Sequence, residues 1–203
     1  MHYEKARDIA ISICEKLAPN CERVAPDKTR INIAGSIRRQ KYEVKDIEVV
    51  CQPLFLPQVH ADLFGATQVM VISPRYVEVV AKLGKVIKGE PTGRYMQIVL
   101  PQGINLDLFM PVPDDYYRQL AIRTGSADYV ARNIAVGWNK IGWVGTDQGL
   151  RKKADCIGTK QKDGKILWKC INPYAERPPA WQSEREFFDW IKVPCIMPKL
   201  RTI

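Results

Sequence analysis

Gly35-Ser36-Ile37-Arg38-Arg39 is followed, after a gap of nine residues from Ser36, by Asp46-Ile47-Glu48, and a further acid stands between leucines in Leu106-Asp107-Leu108. On a strand, side chains alternate between faces, so Asp46 and Glu48 project together while Ile47 and Val49 turn toward a core. Two carboxylates sharing a surface repel unless cations lie between them, which points to hard metal ions such as magnesium. The glycine lets backbone amides approach an oxyanion, Ser36 adds a hydroxyl, and Arg38 and Arg39 add charge-assisted donors suited to phosphate. Asp107, flanked by apolar neighbours, must lie at a strand end or face a cation. Three carboxylates on neighbouring strands would suit two divalent ions and phosphoryl-transfer chemistry.

The elements that must position these groups are legible as an α+β pattern. Ala6, Ile9, Ala10, Ile13, Cys14 and Leu17 recur at helical spacing before Pro19-Asn20, which predicts a first helix. Strand-like runs cover 30–34 and 46–51, and Ser73-Pro74 has the order of a cap and a first-turn proline, opening a helix to about Leu83. Strands are predicted over 85–88, 94–100 and 104–110, divided by Pro91-Thr92-Gly93 and Pro101-Gln102-Gly103. Helices follow over 114–123 and 126–141, parted at Thr124-Gly125, the second with an apolar stripe of Val130, Ile134, Trp138 and Ile141. Lys162-Asp163-Gly164-Lys165 signals a two-residue hairpin turn, and Ser183-Glu184-Arg185-Glu186 a capping box.

Composition narrows the partners. The chain has 203 residues, 46% of them hydrophobic and 26% charged, and a formal charge of +9. That is too apolar for disorder, and no uninterrupted run is long enough to cross a bilayer. Residues 132–169 hold nine basic residues against three acids, a local excess of six that makes a polyanion such as nucleic acid the natural partner. Arg132, Lys140, Arg151, Lys152 and Lys153 are its candidate contacts. All five tryptophans fall at or beyond Trp138, where core packing outweighs base stacking as an expectation. Six cysteines without short paired spacing read as reduced structural thiols, and His2 and His60 are too isolated for a metal site or a catalytic triad. The charged first residues are unlike a secretory leader, so an intracellular setting, cytoplasmic, nuclear or inside a viral host, is expected.

Gly-Ser, the nine-residue gap, Asp-x-Glu, a later strand Asp and Thr124-Gly125-Ser126 together resemble the nucleotidyltransferases of DNA polymerase family X, the DNA polymerase beta type. The resemblance runs from about Ile31 to Arg201 and includes Lys88-Gly89 and a thumb-like ending from Ser183 to Arg201. It implies a nucleotidyltransferase palm over 1–112, a mixed sheet flanked by helices, and a small thumb-like α/β subdomain over 113–203. There is no room for the lyase and helix-hairpin-helix domains of larger members, so the chain reads as a minimal palm and thumb. The implied reaction adds a nucleoside monophosphate from a triphosphate to a nucleic-acid 3′-hydroxyl, with release of pyrophosphate, in DNA repair or replication. Two magnesium ions, with manganese as a substitute, would be held by Asp46, Glu48 and Asp107. Asp107 would also take the acceptor hydroxyl's proton.

In the same resemblance Gly35, Ser36, Arg38 and Arg39 would hold the outgoing phosphates, and Gly125 and Ser126 would lie beside the sugar. The implied partner is gapped or recessed DNA, bound by a monomer. Four positions differ from the family pattern: Glu48 replaces an aspartate, Ile122-Arg123 an aromatic pair, Val130 a base-reading asparagine and Asn105 a basic residue. Glu48 can reach the same ions, whereas Ile122, Arg123 and Val130 favour a first alternative, templateless transfer to a small molecule, an RNA end or a protein. A second alternative is a non-catalytic nucleic-acid-binding module with a decayed palm, against which stand the acids at all three metal-ligand positions.

Overall fold

The apolar spacing of the first segment forms helix α1 (Tyr3–Leu17), which buries Ala6, Ala10, Ile13 and Leu17 on one side. The computed structural model describes residues 1–26, 28–62 and 65–202 and divides into two compact units, Met1–Thr124 and Gly125–Ile203. In the first unit, β1 (Arg23–Ala25) and β2 (Lys28–Thr29) form a small antiparallel pair. The main sheet begins with β3 (Ile31–Ile33), followed by the short helix α2 (Gly35–Arg38) and β4 (Asp46–Cys51). An antiparallel hairpin of β5 (Phe55–Asp62) and β6 (Gly65–Ile72) comes next, for which no element was predicted. It forms a separate two-stranded sheet with an exposed surface, so no buried face imprints a period on its sequence.

Helix α3 (Pro74–Ala81) starts where Ser73-Pro74 predicts, with the proline in its first turn. Ser73 is buried and its hydroxyl makes no capping bond; its carbonyl instead accepts from the Tyr76 amide at 3.0 Å. Strands β7 (Lys85–Gly89), β8 (Tyr95–Val99) and β9 (Asn105–Phe109) complete a five-stranded mixed sheet in the order β3-β4-β9-β8-β7. The β4–β9 pair is parallel and the other pairs are antiparallel. Ile47, Val49, Cys51, Met96, Ile98, Leu106 and Leu108 form one core with the buried faces of α1 and α3. The polar residues that alternate with them therefore face the other way.

Helix α4 (Tyr116–Thr124) follows a 3-10 turn at Pro113–Asp115 and packs on that second face. Asn32 donates to the Tyr116 hydroxyl at 2.7 Å, and that hydroxyl lies 3.4 Å from the Val50 carbonyl. These bonds tie α4 to the sheet of the first unit.

The second unit begins with α5 (Ala127–Tyr129), a π-helical turn at Val130–Ile134 and α6 (Ala135–Lys140). The wider turn leaves Tyr129, Ile134, Gly137 and Trp138 buried, while Val130 and Ile141 of the predicted stripe are only partly covered. Strands β10 (Trp143–Thr146), β11 (Gly149–Lys152), β12 (Cys156–Lys160) and β13 (Ile166–Cys170) form a mixed sheet ordered β11-β10-β13-β12. Lys160 and Ile166 are the last paired residues of β12–β13, so the turn takes residues 161–165 rather than two. Its glycine, Gly164, has a φ of +81°.

Ser183 caps α7 (Glu184–Trp190), accepting from the Glu186 amide at 3.1 Å, as the capping-box pattern predicts. The expected aromatic core is present: Trp143, Trp181 and Phe187 are buried, and Trp190 sits edge-on to Trp143 and Trp181 at 5.2 and 5.3 Å. Arg201 is fully buried beneath Phe188, donating to Glu184 at 2.7 Å and to the Ile196 carbonyl at 3.1 Å. Among the described residues no helix is long and apolar enough to cross a membrane.

Candidate functional site

Parallel pairing of β4 with β9 sets Glu48 directly opposite Asp107 and Asp46 opposite Asn105. Asp46, Glu48 and Asp107 consequently share the sheet face turned away from the α1–α3 core. Burial, then the charges of Asp46 and Asp107, push the Glu48 carboxyl up to about 7; Arg123 and Arg39 act in the opposite direction. The sheet also supplies partners for Asp107, whose Oδ1 accepts from the Tyr95 hydroxyl at 2.7 Å and from Gln97 at 3.0 Å. Gln97 is the cross-strand neighbour of Asp107 on β8, so the register alone places it there.

The phosphate-loop candidates stand beside these acids. Gly35 opens α2 at a φ of +60°, and a Cβ built on it would lie 1.8 Å from the Glu48 Oε2. Both the backbone angle and the close carboxylate require glycine. Ser36 lines a cavity of about 560 Å³ together with Arg39, Lys41, Tyr42, Glu43, Lys45, Asp46 and Glu48. The Ser36 hydroxyl and the Arg39 Nε are buried without a hydrogen-bond partner. Burial lowers the Arg39 pKa, and Glu48 and Asp46 oppose that shift.

Arg38 and Arg39 also have a structural task. The Arg38 Nη1 donates to the Thr124 hydroxyl at 2.6 Å, and the Arg39 Nη1 donates to the Thr124 carbonyl. The Thr124 hydroxyl donates in turn to the Leu120 carbonyl at 2.6 Å. The two arginines thereby fasten α2 to the last turn of α4.

Arg123 was read from the sequence only as a departure from an aromatic pattern, and its position is informative. Its guanidinium lies 4.0 Å from the centre of the Phe109 ring, and Glu48 and Asp107 both raise its pKa against a larger lowering by burial. It is a resident positive charge on the acidic face. Lys41, Lys45, Tyr95 and Gln97 were likewise not identified from the sequence. Lys45 carried a usable signal, since it directly precedes the first acid, whereas Gln97 required the register.

The expected metal ligands share a face without being drawn together. Among the described residues, no three acid, histidine or cysteine side chains form a group that could hold a metal ion. The Glu48 carboxylate is turned against Gly35, and Asp107 is engaged by Tyr95 and Gln97.

The remaining candidates lie in the second unit. Gly125 and Ser126 open it through a cis peptide bond, and the Ser126 hydroxyl caps α5 by accepting from the Tyr129 amide at 3.3 Å. Arg132 and Lys140 are exposed on the helical segment, and Lys153 is exposed 5.5 Å from the centre of the Trp168 ring. Lys152 pairs with Glu176. Arg151 is buried and donates to the Leu150 carbonyl at 2.7 Å, so it contributes little to an open basic surface. Set against known proteins, the chain matches no protein-family model and no curated protein.

Proposed function

We propose that the protein is a metal-dependent nucleotidyltransferase of the DNA polymerase family X kind, transferring a nucleoside monophosphate to a nucleic-acid 3′-hydroxyl. The observation that carries this reading is the β4–β9 register, which puts Asp46, Glu48 and Asp107 on one face, with Ser36 and Arg39 of the α2 turn lining the same cavity as the first two. The donor chemistry, though not the present spacing of the three carboxylates, suits a hard cation: it is all oxygen, and burial followed by the charges of Asp46 and Asp107 pushes Glu48 up to about 7. Asp46, Glu48 and Asp107 would hold magnesium, which when bound supplies Lewis-acid stabilisation of phosphoryl oxygens.

The chain's own groups account for the rest. The unpartnered Ser36 hydroxyl and the Arg39 guanidinium bind phosphate oxygens in the cavity, with Lys41 and Lys45 adding positive charge at its wall. Tyr95 and Gln97 hold the Asp107 carboxylate in one orientation, ready to accept the hydroxyl proton. Arg123, stacked on Phe109, offsets part of the negative charge that would otherwise repel a triphosphate. Positioning and electrostatics are the main sources of rate in such transfers. In the second unit, the exposed Arg132, Lys140 and Lys153 suit the phosphate backbone of the acceptor.

The test is incubation with magnesium, labelled deoxy- and ribonucleotides, and gapped, recessed and single-stranded DNA, scored for extension and template dependence. Extension that disappears in Asp46→Asn is the expected result. Absence of transfer from any nucleotide to any of these acceptors would overturn the polymerase reading. Extension of single strands without a template would favour the templateless alternative.

A further inference from the structure

Two of the six cysteines are placed for chemistry that the acidic face does not use. Cys156 begins β12 and Cys170 ends β13, and the two are direct partners in the antiparallel register. Their side chains therefore leave the same face of the sheet. Directly opposed residues of an antiparallel pair have Cα atoms roughly 4.5–5.5 Å apart, within the roughly 4.4–6.8 Å that a disulfide bridges. The Cys170 thiol is near enough to add to the effect of burial in raising the Cys156 pKa. The Cys170 thiol also donates to the Asn172 carbonyl at 3.4 Å. Both are free and only half-buried.

The other thiols provide a contrast. Cys21 and Cys51 are also neighbours but are buried in the core, where the Cys51 sulfur sits 3.2 Å from the Tyr76 hydroxyl. Burial pushes the Cys14 thiol up to about 12. A solvent-borne reagent reaches the Cys156–Cys170 pair more readily than the buried Cys21 and Cys51, and the half-buried Cys14 and Cys195 have no cross-strand cysteine opposite them.

We propose that Cys156 and Cys170 are a reversible redox pair whose co-substrate is a small-molecule disulfide. The Cys156 thiolate attacks one sulfur of that disulfide, forming a mixed disulfide and releasing one small thiol. The Cys170 thiolate then attacks the Cys156 sulfur and displaces the second small thiol. The two protein thiols lose two electrons and two protons, and the co-substrate gains them as two thiols. Burial and the adjacent Cys170 hold the Cys156 thiol above its usual range, which slows the first attack without altering its product.

The bond would fasten the open end of a hairpin whose other end is the 161–165 turn. β12 is an edge strand bonded only to β13, so the link would fix an element otherwise free to fray. The same hairpin carries Lys160, Lys162, Lys165 and Lys169 of the basic segment, so oxidation would act on the region with the highest lysine density.

The full chain is treated with oxidised glutathione, remaining thiols are blocked with iodoacetamide, and tryptic peptides are read by mass spectrometry. The expected product is a Cys156–Cys170 cross-linked peptide, lighter by two hydrogens than its separate reduced peptides and lost after dithiothreitol. Amide exchange in β12 should slow in the oxidised protein. In Cys170→Ser the reaction should stop at a glutathione adduct on Cys156. Full alkylation of both cysteines in the treated wild-type chain, or a stable glutathione adduct on either one, would overturn the proposal. A dominant cross-link to any other cysteine would do the same.

Discussion

Replacing Glu48 with glutamine should make the protein more stable at alkaline pH. The folded chain raises the Glu48 carboxyl from 4.5 to about 7, through burial first and then through Asp46 and Asp107. The native state thus holds this proton more tightly than the unfolded chain. The resulting stabilisation is fully present below pH 4.5 and is lost as pH rises through about 7. At about 1.4 kcal/mol per pKa unit, the ionised wild-type side chain costs about 3 kcal/mol that a neutral glutamine of the same shape does not. Glu48 is partly buried, so solvent screens part of this rather than all of it.

The measurement is guanidinium unfolding of wild type and Glu48→Gln between pH 5 and 9 with a chelator present, followed by far-UV circular dichroism and by amide exchange in β4. Tryptophan fluorescence is unsuitable here because all five tryptophans belong to the second unit. The two stabilities should nearly coincide at the acid end and separate by about 3 kcal/mol toward pH 9, with the variant higher. A difference that stays constant over this range would refute the electrostatic reasoning. Adding magnesium at pH 9 should close the gap by stabilising the wild type. An unchanged gap would count against the metal assignment while leaving the carboxylate repulsion standing.

Asp107→Asn should abolish nucleotide transfer while shifting the unfolding midpoint little, since the amide still accepts from Tyr95 and Gln97; retained turnover would remove Asp107 from the site. Gly35→Ala should lower both stability and activity, because its Cβ would meet the Glu48 carboxylate at 1.8 Å; wild-type melting would show that the carboxylate swings aside without cost. Arg201→Ala removes the buried guanidinium's bonds to Glu184 and the Ile196 carbonyl and its packing on Phe188, and should cost about 3–5 kcal/mol. Tryptophan fluorescence reports this loss, and a change under about 1 kcal/mol would contradict a structural role for the buried pair. Joint replacement of Arg132, Lys140 and Lys153 by alanine should weaken duplex binding and flatten its dependence on salt, as read by fluorescence anisotropy. An unchanged salt slope would move the nucleic-acid contact elsewhere.

What was legible in the sequence follows from where each signal originates. Alternation within Asp46–Cys51 and Asn105–Phe109 is a local property, so the strands and the outward acids could be read directly. That these strands are neighbours, and that Glu48 rather than Asp46 stands opposite Asp107, depends on pairing across more than fifty residues. Arg123 shows the same limit: its helix was legible, but the ring beneath it and the acids beside it come from β9 and β4. Arg151 shows the opposite error, since a charge count treats every arginine as surface while the β10–β11 register carries this one inward. The turn at 161–165 was recognised by its Asp-Gly pair, yet its length was set by how far β12 and β13 continue to bond. Charge and motif thus pick out candidate groups, whereas strand register decides which of them stand together. The same reasoning makes Cys156 and Cys170 a pair, because fourteen positions of separation hide a contact that the register makes direct.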